Sequence, residues 1–279
     1  MQGGSALAVI VIDSVGVVQA LWLRTALGAV ILAAVRPRLV RLPARGDRLL
    51  VVALTATLLA MNASFYVAIS HAPVGIVVAV EFLGPLGVAI AGSRRALDVF
   101  WVVLAGVGVF LLGKPGGSVT VIGLVFALVA AGCWAAFILL AKRAVSRIDP
   151  LRVTVLMLVG AGVVLTPIML ATGVKIAGQG RALLLGLAVA ILSSALPYFL
   201  ELAAIKRVKA STYGVLLSIE PAIAAFWGFV VLSQELSVPE IGAIVAIVIA
   251  AAGASWVHAQ GATPRRQSGV KKKATKGWD

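Results

Sequence analysis

The sequence predicts an all-α polytopic membrane protein whose ten transmembrane helices form two inverted five-helix repeats. Three observations carry that expectation. Apolar residues make up 61% of the 279 residues and charged residues 12%, with a mean hydropathy of +1.10; a soluble domain sits nearer 45–50% apolar and about 25% charged. Ten apolar segments follow one another, most near the ~20 residues that cross a bilayer. The basic residues then alternate from loop to loop, so that one side of the membrane carries nearly all of them. The net charge of +14 does not point to nucleic acid, because the basic residues are scattered between apolar runs and form no single face.

The segments fall at 1–12, 17–35, 49–70, 74–93, 99–113, 119–141, 153–173, 182–205, 210–232 and 238–258. The first is short, begins at Met1 and has no basic flank, which fits a first helix truncated at its start and does not fit a signal peptide. The fifth is short but long enough to span with little tilt. Loops 36–48, 94–98, 142–152 and 206–209, with the tail after His258, hold twenty Lys and Arg residues, against three in the alternate loops. That asymmetry orients the basic loops and both termini to the cytoplasm. The tail, 259–279, reads as disordered, basic and attracted to anionic lipid.

Five helices per half is an odd number, so the second half runs opposite to the first. The halves are expected at 1–116 and 117–258. A weak echo at an offset of 136 supports the repeat: Ala68 falls on Ala204, Ile69 on Ile205, Pro85 on Pro221 and Gly92 on Gly228. Internal repeats of this kind are the mark of secondary transporters, with substrate held near the midplane where helices are interrupted.

Four charges lie inside the segments beyond their first few residues: Arg24, Glu81, Glu201 and Glu220. Ionisable groups in hydrocarbon cost several kcal/mol by most estimates, so each is a candidate for function. Two readings stay open for Arg24, a structural ion pair with Glu81 or Glu220, or a contact with a substrate carboxylate. Burial favours the neutral form of a carboxyl group and a nearby guanidinium favours the charged form, so a glutamate's protonation can follow substrate occupancy. Glu81, Glu220 and Glu201 are the proton-coupling candidates, Glu201 lying about a turn from its helix end. Pro85, Pro197 and Pro221 interrupt helices, freeing the carbonyls of Glu81, Ser193 and Leu217. For Ser193, the neighbouring Ser194 and Tyr198 are expected to re-satisfy the backbone. Asn62, Tyr66, Trp134, Tyr198 and Ser218 join Arg24 as substrate-binding candidates, and Gln2 as a further cavity residue.

Single Cys133 permits no internal disulfide, and no metal-ligand cluster, nucleotide-binding loop or hydrolase motif is present. No catalytic residue, metal or cofactor is expected. The expected partners are the lipid bilayer, a small-molecule substrate and protons, with a homo-oligomer left open.

The stretches QGGSALA (2–8), LWLRTALGAVIL (21–32), GIVVAVEFLGPLGVAI (75–90), AGCWAAFIL (131–139), AILSSALPYFLELAAIKRV (190–208) and LLSIEPAIAAFWG (216–228) carry a resemblance. By them the chain resembles the EamA family of the drug/metabolite transporter superfamily, and within it the RhtA-type threonine/homoserine exporters. The resemblance implies a five-plus-five inverted fold in a bacterial inner membrane and proton-linked export of small hydrophilic amino acids. It places Arg24, Glu81, Tyr198, Glu201 and Glu220 at matching positions. Rival readings are an exporter of drugs or other metabolites, and a non-transporting channel or assembly protein.

Overall fold

The computed structural model describes residues 1–35, 37–91, 96–112, 119–172, 180–208, 217 and 219–261. Every regular element among them is helical. Helix α1 spans Gln2–Val15 and ends where Gly16 takes φ 88°, a left-handed conformation open to glycine, and returns its N–H to the Ile12 carbonyl at 2.7 Å. Next come α2 (Val17–Val35), a 3₁₀ turn (Pro37–Val40), α3 (Arg45–Ile69), α4 (Val74–Glu81), α5 (Leu83–Ile90) and α6 (Ala96–Leu112). In the second part α7 spans Val121–Val145, α8 Pro150–Ala171 and α9 Gly180–Ala190. A π-helical turn, Ile191–Ala195, joins α9 to α10 (Leu196–Arg207), and α11 (Glu220–Leu232) and α12 (Val238–Gly261) follow.

Local sequence explains several of these starts. Thr120 accepts the Gly123 N–H at the head of α7, and the Asp149 carboxylate accepts from Leu151 and Arg152 with Pro150 in the first turn of α8. At α12, Glu240 reaches back to the Ser237 N–H and hydroxyl, both at 2.8 Å, a capping box.

Among the described residues five stretches, 17–34, 45–69, 121–145, 150–171 and 180–207, are long and apolar enough to cross a membrane, and shorter apolar helices pack among them. Their outward faces carry exposed apolar side chains, such as Phe110 at 73% and Leu184 at 71%. Both the core and this outer surface are therefore largely apolar, as suits a surface that faces lipid. Within the bundle α3 lies along α7, α6 along α12, α2 along α8 and α4 along α11. At Gly84 the α5 and α7 backbones approach so closely that a Cβ would overlap the Ala131 carbonyl oxygen.

Several expected boundaries move. The segment expected as one helix over 74–93 is divided at Phe82: Pro85 has no N–H to give the Glu81 carbonyl, so α4 closes at Glu81 and α5 starts at Leu83. Lys142 and Arg143 belong to the last turn of α7, and Lys206 and Arg207 to that of α10, where loops were expected. There they face the negative end of the helix dipole. The expected basic tail lies outside the described residues from 262 onward, as do 210–216 and Ser218 of the expected ninth segment.

Candidate functional site

Arg24 sits near the middle of α2 and is 2% exposed. A guanidinium in such a place needs partners, and the helix opposite supplies them. Pro197 in α10 cannot donate to the carbonyl four residues before it, that of Ser193. The chain widens into the π turn, and Arg24 Nη2 donates to the Ser193 carbonyl at 2.6 Å. Arg24 Nε donates to Ser194 Oγ at 2.8 Å and Nη2 to Tyr198 Oη at 3.1 Å. The guanidinium carbon stands 5.6 Å from the ring centroids of both Tyr66 and Tyr198, a cation held between two aromatic rings. The Tyr198 hydroxyl lies 3.0 Å from Asn62 Oδ1, to which it donates, and Asn62 Nδ2 donates to the Leu58 carbonyl at 2.8 Å. A hydrogen-bonded path therefore runs from α10 through Arg24 and Tyr198 into α3.

This geometry decides against one of the two readings of Arg24 and changes the expected partner of the Ser193 carbonyl. Arg24 is not tied into a side-chain ion pair with Glu81 or Glu220: among the described residues its hydrogen bonds go to neutral oxygens. The Ser193 carbonyl is re-satisfied by Arg24, from 169 residues away, and not by Ser194 or Tyr198. The Tyr66 side chain also lies against the guanidinium.

Beside this network lies a cavity of about 430 Å³, lined by Arg24, Asn62, Glu81, Trp134, Pro197, Tyr198, Glu201 and Glu220 among others. Its volume is within the ~300–1,000 Å³ usual for small-molecule sites. Each carboxylate has its own setting. Glu81 ends α4 and is 9% exposed, and it feels the charges of Glu220, Arg24 and Glu201. Glu201 accepts from Trp134 Nε1 at 3.3 Å, and the Trp134 ring meets Phe82 edge-on at 5.8 Å. Glu220 opens α11 and accepts from Gln2 Nε2 at 3.2 Å.

The structure thus gathers Arg24, Asn62, Trp134, Tyr198, Pro197 and the three glutamates around one space, with Tyr66 stacked behind Arg24. Pro85 lies one turn beyond the break at Phe82, and Pro221 lies in the first turn of α11, where a missing N–H costs little. Ser218 falls outside the described residues. Sequence reasoning passed over Ser5, Met61 and Phe65, which also line the cavity. Met61 and Phe65 flank Asn62 on one helical face, a spacing that signals them once Asn62 is singled out.

Comparison with known proteins decides the family. The EamA-like transporter family profile matches residues 121–256. The chain is 39% identical over 279 residues to the threonine/homoserine exporter RhtA of Escherichia coli K12, across 97% of this chain and 90% of that protein. It belongs to the EamA-like transporter family. A protein of the same name from Salmonella typhimurium LT2 is 40% identical over 259 residues, covering 91% of this chain and 87% of its own length. A solved crystal structure, 19% identical, superposes with a TM-score of 0.70 over 94% of this chain and 95% of that one, a likeness of fold alone. As an EamA-like transporter the chain is a multi-pass transmembrane protein. The profile match holds Trp134, Tyr198, Glu201 and Glu220, whereas Arg24, Asn62, Tyr66 and Glu81 come from the part before it.

Proposed function

We propose that this EamA-like transporter is a proton-coupled secondary exporter of small amino acids such as threonine and homoserine, working by alternating access. One observation carries the reading: a single buried guanidinium and three carboxylates surround one cavity of about 430 Å³. A zwitterion fits that balance. Its carboxylate would lie against the Arg24 guanidinium, and its ammonium would lie against Glu81 or Glu220. Those carboxylates exchange a proton as substrate comes and goes, which ties export to the proton gradient. The names of the relatives supply the substrate class.

The same reading takes the helices as ten spans in two inverted five-helix repeats, 1–116 and 117–258, with α4 and α5 as one span and α9, the π turn and α10 as another. The packing supports it. Exchanging each span for its counterpart turns the α2–α9 contact into α8–α3 and the α4–α7 contact into α11–α1, and all four pairings occur. The loop charges support termini on the cytoplasmic side of a bacterial inner membrane.

The test uses purified protein in liposomes with an imposed pH gradient, following radiolabelled threonine and homoserine beside an unrelated amine dye. Gradient-dependent amino-acid flux is the expected result. Dye flux without amino-acid flux would transfer the protein to the drug-export reading, and silence for both would favour a non-transporting role.

A further inference from the structure

The α1 side of the cavity carries polar groups that the zwitterion contacts leave unused. Gln2 and Ser5 are three residues apart on α1 and so share a helical face. Both line the cavity and both are buried, at 6% and 4% exposure. Gln2 Nε2 is committed to Glu220, and that bond fixes which way the amide points. Its other end, Oε1, is buried with no hydrogen-bond partner. The Ser5 hydroxyl makes no hydrogen bond to a described residue. Buried polar atoms are paired in all but a few cases, so the unpaired Gln2 Oε1, one helical turn from the Ser5 hydroxyl at a ligand-sized cavity, calls for a partner that comes and goes. The apolar residues Met61, Phe65 and Leu217 also line the cavity and offer an alkyl chain no polar competition.

We propose that Gln2 and Ser5 form a hydroxyl subsite that selects amino acids with a hydroxylated side chain over their purely aliphatic counterparts. This rests on the amino-acid reading above and deepens it. Gln2 Oε1 accepts the substrate's O–H, and the Ser5 hydroxyl, able to donate or accept, takes the same oxygen's other side. A site built to pair a hydroxyl discriminates against an analogue lacking it, because its own polar atoms are then left unpaired.

The probe is 2-aminobutyrate, which is both threonine and homoserine with the hydroxyl removed. Liposomes containing the full chain would be loaded with each of the three labelled compounds, and specificity read as the ratio of threonine to 2-aminobutyrate flux. For the unaltered protein the ratio is expected to exceed about tenfold. Ser5→Ala and Gln2→Met are each expected to lower it by roughly fivefold, the loss of one hydrogen bond. The ratio is internal to each preparation, so a general loss of folded protein would not move it. Ser5→Thr, which keeps a hydroxyl, is expected to hold more of the ratio than Ser5→Ala. Amino-acid flux with a ratio unchanged in both variants, or near one in the unaltered protein, would overturn the subsite and leave the exporter standing. Absence of flux for all three compounds would overturn both.

Discussion

Replacing Arg24 by methionine tests whether the guanidinium holds the broken helix together. The change removes three hydrogen bonds from a charged donor, to Ser193 O, Ser194 Oγ and Tyr198 Oη. Each is worth about 1.5–3 kcal/mol. Most of that gain is offset by the several kcal/mol needed to bury a guanidinium, which methionine does not incur. What methionine cannot offset is the Ser193 carbonyl, left in an apolar bundle with no donor at about 1–3 kcal/mol. The expected net loss is about 2 kcal/mol, with Arg24→Lys in between, since an ammonium is a point charge and cannot fork across three acceptors. The assay is unfolding of the purified protein in mixed micelles by a denaturing detergent, followed by helical circular dichroism. A double-mutant cycle with Ser194→Ala should give a coupling of about 1 kcal/mol. An Arg24→Met protein as stable as the parent, with no coupling to Ser194, would refute the view that Arg24 caps the π turn.

Pro197→Ala restores an N–H able to bond Ser193 in the ordinary helical way, in competition with Arg24; stability should change by less than about 1 kcal/mol while flux falls. Equal flux in the two proteins would show that the break is dispensable. Glu81→Gln keeps the shape of the side chain and removes its charge, so liposomes should lose gradient-driven flux but keep threonine exchange at equal pH; Glu220→Gln is expected to behave alike. Gly84→Ala sets a methyl against the Ala131 carbonyl of α7 and should destabilise by about 1–3 kcal/mol in the same micelle titration. Tyr198→Phe keeps the ring over Arg24 but removes both the bond from Arg24 Nη2 and the link to Asn62, so it should cost about 2 kcal/mol, comparable with Arg24→Met, in the same titration.

Much of the cavity's polar lining is legible in the sequence, for a physical reason. Charges and prolines in lipid are costly, so Arg24, Glu81, Glu201, Glu220 and Pro197 stand out against an apolar background, and these are residues the fold gathers around the cavity. Pro85 likewise announces the break at Phe82, because a proline's effect on the preceding turn is local. The π turn was not legible. Its cause is split between Pro197 and a guanidinium 169 residues earlier, and no local pattern records that meeting. Of the two readings left open for Arg24, the ion pair fails for a related reason. Charge counting sees Glu81 and Glu220 as the natural partners, but a carbonyl uncovered by proline and two aromatic rings are strong partners that counting does not register. Helix ends at Lys142 and Lys206 were set too early because the hydropathy of a basic last turn resembles that of a loop.

The bond between Asn62 and Tyr198 joins positions 136 apart, the same interval as the weak echo in the sequence. Counterparts under a two-fold rotation can touch only where they straddle the axis. On the repeat proposed above, that bond would therefore sit on the pseudo-two-fold axis, with Arg24, bonded to Tyr198, beside it. A substrate held there would lie at the depth where the two halves meet.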